Sequence, residues 1–323
     1  MCIRDSGKGE RFMKRYDPVR LELSTRDRVA MANYTEIAEG RGTSNGGVYL
    51  DISHNNKEFI IEKLPRMYRQ FLDTLMLDIS ESPMEVAPTA HYSMGGVVVR
   101  PEDHWTGIDG LYAAGEVAGG LHGANRLGGN SLAEILIFGK RSGAAAADHS
   151  DKIKAQLRDK NQIRLAHEKI NSYIKQGSEV ARPLQRSLRD LMWTTCGVVR
   201  TEKKMIDGLH QIKELKERSL ELDVRPDSEG YEDLMLAFDL DASIISAEAT
   251  LISANKREES RGAHQRSDFP ELSKSDLLNY RVSLDTDEKL SLKKNKIKAL
   301  NSDLQNIVTS TTEIGDFTGR LIE

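Results

Sequence analysis

Between residues 88 and 150 this 323-residue chain changes character: glycine becomes dense, charge becomes sparse, and short apolar runs alternate with loops. No other stretch restricts the possible folds as tightly. "GGVVV" (95–99) and "GLYAAG" (110–115) are too short for helices and too apolar for exposed loops, so they predict short buried strands. "SLAEILIFGKRSGAAAA" (131–147) predicts a helix with small residues along one side, suited to close packing on a sheet. Gly139 and Gly143 lower its intrinsic helicity, so a packing reason is expected for both.

The flanking regions read differently. Residues 1–87 mix helix and strand patterns: a helix over "RDRVAMANYTEIAEGRG" (26–42) stopped by Gly40 and Gly42, a turn at "SNGG" (44–47), a strand at "VYLDI" (48–52), and a helical stretch over 58–75 interrupted at Pro65. Residues 151–255 are a run of amphipathic helices. Leu184, Leu188 and Leu191 fall at i, i+4, i+7, and Met205, Leu209 and Ile212 repeat that spacing before Leu215; both stripes predict bundle core. Residues 256–323 open on the polar loop "KREESRGAHQRSDFPE" and then become charged and weakly patterned. No internal repeat is present.

Composition narrows the function classes. A hydrophobic fraction of 38% with 30% charged residues fits a soluble globular protein, and a formal charge of −4 offers no general attraction for nucleic acid. The two cysteines, Cys2 and Cys196, form no CxxC pattern, so this chain alone builds neither a zinc site nor an iron–sulfur cluster. No run of about 18 apolar residues occurs. "MCIRDSG" lacks the apolar core of a signal peptide, and residues 1–8 are expected to be an extraneous leader.

The chemistry concentrates in "HGANRLGGNS" (122–131), where a His and an Arg share a loop with three glycines and two asparagines. Ser131 to Glu134 has the S-x-x-E spacing of a capping box, which puts a helix start directly after the loop. A helix N-terminus presents unpaired N–H groups, and Gly128 and Gly129 let a ligand approach the backbone, so the loop suits an anionic group. The same string also serves as a plain glycine-rich turn. Gly115 and Glu116, at a predicted strand end, suit a ribose or ribityl hydroxyl, or are ordinary surface residues. His91 precedes a predicted strand and reads as either a structural hydrogen bonder or a ligand-binding group. Arg26 and Arg28 lie in a helix's first turn, where a cation opposes the dipole; such an Arg is commonly just solvated.

In order along the chain, "GERFMKRYDP", "TRDRVA", "GGVYLDI", "PTAHYSMGGV", "GLYAAGEVAGGLHGANRLGGNSLAE" and "ESRGAHQRSDFP" resemble the flavoprotein subunit family of succinate dehydrogenase and fumarate reductase, with L-aspartate oxidase a close relative. The resemblance runs from about Gly9 to about Pro270. It implies an α/β plus all-α fold: a capping-domain remnant over 1–87, the second half of a Rossmann-like FAD-binding domain over 88–150, a helical C-terminal domain over 151–255 and a small terminal region over 256–323. It implies FAD as cofactor and hydride transfer between flavin and a C4 dicarboxylate. His91 and Arg126 match the family's substrate clamp, and Arg26 its proton-shuttling arginine. Gly115, Glu116, Asn130, Ser131 and Leu132 match its flavin-holding positions. The implied partners are an iron–sulfur protein and membrane anchor subunits, with a cytoplasmic location peripheral to the inner membrane through them.

The sequence also departs from the family. No G-x-G-x-x-G follows a strand, and the segment that carries the flavin-linking His in many members is absent. The chain is therefore expected to be the C-terminal part of a longer protein, with sheet edges left unpaired and weak or no flavin binding by itself. Two other readings stand beside the leading one: L-aspartate oxidase, and an inactive fragment or helical interaction module.

Overall fold

The computed structural model describes residues 3–153, 159–225, 231–273, 277–287 and 289–307. Its contacts divide the chain into two units, Met1–Leu157 and Arg158–Glu323.

The first unit begins with β1 (Ile3–Asp5) and α1 (Met13–Tyr16), followed by α2 (Arg26–Ala38). Helix α2 ends where Gly40 takes a φ of +74°, a conformation that costs glycine nothing sterically. It buries Val29, Ala32 and Glu36, at i, i+3 and i+7. The first two pack with Phe12, Met13 and Val48. The third is a fully buried carboxylate, stable there because Arg15, Tyr16 and Arg41 all donate to it at 2.6–2.9 Å. Strand β2 (Val48–Asp51) is the expected one, and lies antiparallel between β1 and β3 (Met84–Val86). As expected, Pro65 splits the next helical stretch into α3 (Lys57–Lys63) and α4 (Pro65–Leu75), which enclose a second small core of Ile52, Ile60, Tyr68, Ile79 and Met84.

Two expectations for this unit are corrected, while Ile3–Asp5, within the segment expected to be a leader, pairs with β2 and Ser6 is buried. Edge pairing uses backbone groups alone, so it is tolerant of side-chain sequence. The predicted strands 95–99 and 110–115 do not extend: Val97 makes a single parallel bridge to Ala118, and Tyr112 a single antiparallel bridge to Trp105. A parallel strand needs neighbours on both sides to hold its ladder, and this segment has one point of contact. The helix after the loop does form, as α5 (Asn130–Lys152), but its packing is inverted. Its buried residues are Glu134 and Ser142, whereas Leu132, Ile135, Leu136 and Ile137 are exposed. A Cβ at Gly139 or Gly143 would meet nothing within 4 Å, so the expected packing reason is absent among the described residues.

The second unit is built on α6 (Lys160–Tyr173), α7 (Ala181–Cys196), α8 (Glu202–Ser219) and α9 (Glu232–Lys256). Both predicted stripes form its core. Leu184, Leu188, Leu191, Met205, Ile212 and Leu215 are buried together with Leu240, Ile244 and Leu251, and Leu209 packs against them. Side chains of this size stabilise the fold by roughly 1.5–3 kcal/mol each on full burial. Gly208 lets α8 come close to α7 and α9, since a Cβ there would lie 2.7 Å from Thr195 Oγ1 and 3.1 Å from Leu251. The loop "ESRGAHQRSDFP" closes the C-terminal end of α9: the fully buried Arg266 donates to the carbonyls of Ala254, Asn255 and Arg257 and pairs with Asp268 at 2.7 Å. Strands β4 (Val199–Arg200) and β5 (Gln265–Arg266) pair in parallel beside it. Beyond them β6 (Leu278–Leu284) and β7 (Leu290–Lys296) form an antiparallel hairpin that the sequence reading does not anticipate. Residues 308–323 lie outside the described residues.

Candidate functional site

Three loops meet at the start of α5. Gly96 lets the first approach the second closely: a Cβ there would lie 2.3 Å from Val117 O. Val97 N donates to Val117 O at 2.7 Å and Gly119 N to Val97 O at 3.0 Å, which locks this crossing. Gly115, at φ +83°, opens the turn Gly115–Ala118 that carries Glu116. Ser93 N donates to Glu116 Oε1 at 2.8 Å, so the segment with His91 is tied to the turn with Glu116. The third loop, 119–129, brings in His122 and Arg126.

Glu134, in the second turn of α5, is where the first and third loops are joined. Tyr92 Oη donates to its Oε2 at 2.6 Å, and His122 Nε2 lies 2.8 Å from the same oxygen. The carboxyl is 2% exposed. Burial works against its charge, but the hydrogen bonds from Tyr92 and His122 win and hold it below the usual carboxylate range. Burial and the bond to Glu134 together push the Tyr92 phenol up to about 12. The capping-box expectation is thereby corrected. Helix α5 starts at Asn130 with Gly129 as its N-cap, at φ +85°, and no side chain caps it. Glu134 is turned inward to Tyr92 and His122 because a buried carboxylate gains more from two side-chain donors than from one frayed backbone N–H.

Arg126 is held in a different way. Its guanidinium carbon stands 4.5 Å from the centroid of the Tyr92 ring. Its one hydrogen bond among the described residues is a long one, 3.5 Å, from Nη1 to Leu127 O, and its Nε is buried without a partner. The site thus contains an arginine that is stacked rather than salt-bridged, with donors available to an anion. His91 is exposed on the first loop, next to Tyr92. Asn130 lines a cavity of about 190 Å³ with His122, Glu134 and Phe138, while Ser131 and Leu132 follow in the uncapped first turn of α5. Arg26 lies exposed at the start of α2, and no hydrogen bond or ion pair among the described residues joins it to this cluster. Of the predicted residues, then, His91, Gly115, Glu116, Arg126, Asn130, Ser131 and Leu132 fall on the converging loops and helix start, and Arg26 does not. A larger cavity, about 590 Å³, opens between α7 and α9 beside Arg189, Met192 and Asp239, and holds none of them. No group of three metal-ligating side chains occurs among the described residues.

Sequence reasoning misses Tyr92 and the actual partners of Glu134. A signal exists: an acid set inside the apolar run "LAEILIF" needs a buried partner, and Tyr92 stands beside a candidate histidine.

Residues 1–132 match the family model described as "FAD binding domain", and residues 185–313 the one described as "Fumarate reductase flavoprotein C-term". Over these stretches the chain matches the succinate dehydrogenase and fumarate reductase flavoprotein family. It is 46% identical over 269 residues to one subunit of the CoM/CoB fumarate reductase of Methanothermobacter marburgensis, a match that spans 82% of this chain and 48% of that protein. It is 38% identical over 270 residues to L-aspartate oxidase of Acinetobacter baylyi, spanning 82% and 46%. Among solved structures, a quinol fumarate reductase chain from E. coli superposes with a TM-score of 0.86 at 29% identity, covering 93% of this chain and 55% of that one. The chain thus spans about half the length of the curated relatives it matches.

The residues present fit the flavin that goes with this family. The uncapped start of the 23-residue helix α5 leaves first-turn N–H groups without side-chain partners, and Cβ atoms at Gly128 and Gly129 would meet nothing within 4 Å. This is a cradle for an electron-rich edge. Glu116 uses Oε1 on Ser93 N, and its second oxygen has no hydrogen-bond partner among the described residues, so it can accept from a hydroxyl.

Proposed function

We propose that this chain carries the dicarboxylate-binding end of a flavoprotein subunit that interconverts succinate and fumarate. The observation that supports it most directly is Arg126, whose Nε is buried without a partner and whose guanidinium is stacked on Tyr92, the chain neighbour of His91. A C4 dicarboxylate presents a planar anion at each end. Arg126 offers one carboxylate a fork of N–H donors, and His91 supplies a second donor, so that the carbon chain between is held in one orientation. FAD, when bound, supplies the two-electron hydride chemistry. The start of α5, at Ser131 and Leu132, would face its electron-rich edge, and Glu116 would hold a ribityl or ribose hydroxyl. By its match to the family's proton-shuttling arginine, and not by any hydrogen bond to the loops, Arg26 would pass the proton that fumarate reduction needs, as one link of a relay.

The electrons need an exit that two cysteines cannot provide, so an iron–sulfur protein is the partner this reading calls for, with membrane attachment through further subunits. No helix among the described residues is long and apolar enough to cross a membrane. The test is fumarate-dependent reoxidation of the reduced, flavin-containing holoenzyme that carries this chain. Arg126→Lys keeps the charge but loses the fork, and kcat/KM for fumarate is expected to fall at least about 100-fold. An unchanged kcat/KM would remove Arg126 from the substrate site. A second reading, aspartate oxidation, is supported by the similarity to L-aspartate oxidase. Aspartate also carries two carboxylates, and flavin reduction by aspartate in place of succinate would favour it.

A further inference from the structure

Arg126 and Glu134 are opposite charges on one small cluster, yet no ion pair forms between them. Tyr92 separates them. Its ring carries the Arg126 guanidinium at 4.5 Å, and its hydroxyl donates to Glu134 at 2.6 Å. His122 takes the same carboxylate oxygen at 2.8 Å and packs edge-on against the Tyr92 ring, with centroids 5.5 Å apart. Two donors thereby engage one oxygen of the carboxylate, Oε2, and the arginine is oriented by a face that competes for none of its N–H groups.

We propose that Tyr92 is a positioning residue for dicarboxylate binding: its ring orients Arg126, and its hydroxyl, together with His122, keeps the resident Glu134 carboxylate from occupying the arginine. A buried carboxylate left without its donors would be drawn to the nearest unpaired cation, and a substrate carboxylate would then have to displace it. This inference rests on the reading of Arg126 as the carboxylate-binding residue, and it adds a reason why that residue is available.

The experiment is a two-residue cycle in the flavin-containing holoenzyme, with KM and kcat for fumarate measured separately. Tyr92→Phe retains the ring and removes the hydroxyl that occupies Glu134. KM is expected to rise about tenfold with kcat changed less than about threefold, the pattern of lost ground-state binding. Adding Glu134→Gln removes the competing charge, and KM is expected to return to within about twofold of the parent value. Damage to packing alone would be deepened, not relieved, by the second substitution. Tyr92→Leu removes the platform as well, and Glu134→Gln should not rescue it. An unchanged KM in Tyr92→Phe, or a double variant no better than the single one, overturns the inference while leaving the assignment of Arg126 intact. Parent enzyme without dicarboxylate turnover defeats the functional reading and takes this inference with it.

Discussion

At the scale of single residues, the protein holds its buried charges by giving each one more partner than burial takes away. Glu36 with Arg15, Arg41 and Tyr16 is one instance, and Arg266 with Asp268 and three carbonyls is another. His264 shows the opposite solution. Burial, and then the positive charge of Arg200, lower its pKa to about 4 from an ordinary 6.5. Arg200 Nη1 lies 2.8 Å from His264 Nδ1, an arrangement that requires the ring nitrogen to accept and the imidazole to be neutral. Because the unfolded chain takes up this proton more readily than the folded one, the contribution of His264 to stability is complete above about pH 6.5 and drains away as pH falls toward 4. In His264→Gln, which still offers Arg200 an acceptor, the melting temperature should fall less between pH 6.5 and 4.5 than in the parent; parallel melting curves would show that His264 does not titrate as described. Asp268 acts in the other direction of charge. Arg266 holds its pKa down to about 2, so its contribution is present above about pH 4 and is lost as pH falls toward 2. The parent should lose its advantage over Asp268→Asn across that interval.

At the scale of elements, glycines separate into those that packing needs and those it does not. Gly208 sits where α8 meets α7 and α9, and an alanine there would press on Thr195 and Leu251. Gly208→Ala is expected to destabilise the second unit by about 1–3 kcal/mol, read from denaturant midpoints. Gly139 and Gly143 lie in α5 with open space around them, so Gly139→Ala and Gly143→Ala should each stabilise the helix by about 0.5–1 kcal/mol. A loss of stability at either position would reveal a neighbour that the described residues do not include. The same contrast shows how far sequence reading reaches at this scale. The heptad-like spacing of Leu184, Leu188 and Leu191 locates the bundle core, because a helix satisfies its own backbone and only the stripe must find a partner. The runs 95–99 and 110–115 carry the same kind of apolar pattern, which predicts strands, and form only single bridges. A strand's backbone is satisfied by other segments, so its existence depends on neighbours that its own residues do not encode. The hairpin β6–β7 escapes sequence reading although Leu278, Tyr280, Val282 and Leu284 alternate with polar residues, a period-two signal hidden by high charge.

At the scale of the whole molecule, apolar burial is unequal. The buried residues of α7, α8 and α9 form one continuous core with Leu222 and Val224, whereas Leu127, Leu132, Leu136 and Ile137 on the segment that carries the candidate site are exposed. A hydrophobic dye is expected to bind the chain and to lose that binding when Leu132 and Leu136 are changed to Gln, with little shift in the melting of the helical unit. For the same reason, the chain mixed with FAD and passed through gel filtration should retain little flavin in the protein peak; stoichiometric retention would show that the open face is no obstacle. The loop "HGANRLGGNS", the arginine in it and the helix behind it are legible in the sequence, as is the helical bundle, because each depends on residues close together in the chain or on a period of its own. The match to the family follows from the order of such local motifs. The tertiary structure alone decided what Glu134 does. Local spacing makes it half of a capping box, and the approach of Tyr92, 42 residues away, together with His122, makes it the buried anchor of the ring on which Arg126 stacks. A hydrogen bond to a buried carboxylate outweighs a cap on a solvated helix start, and which of the two is on offer is set by loops that only the folded chain brings together.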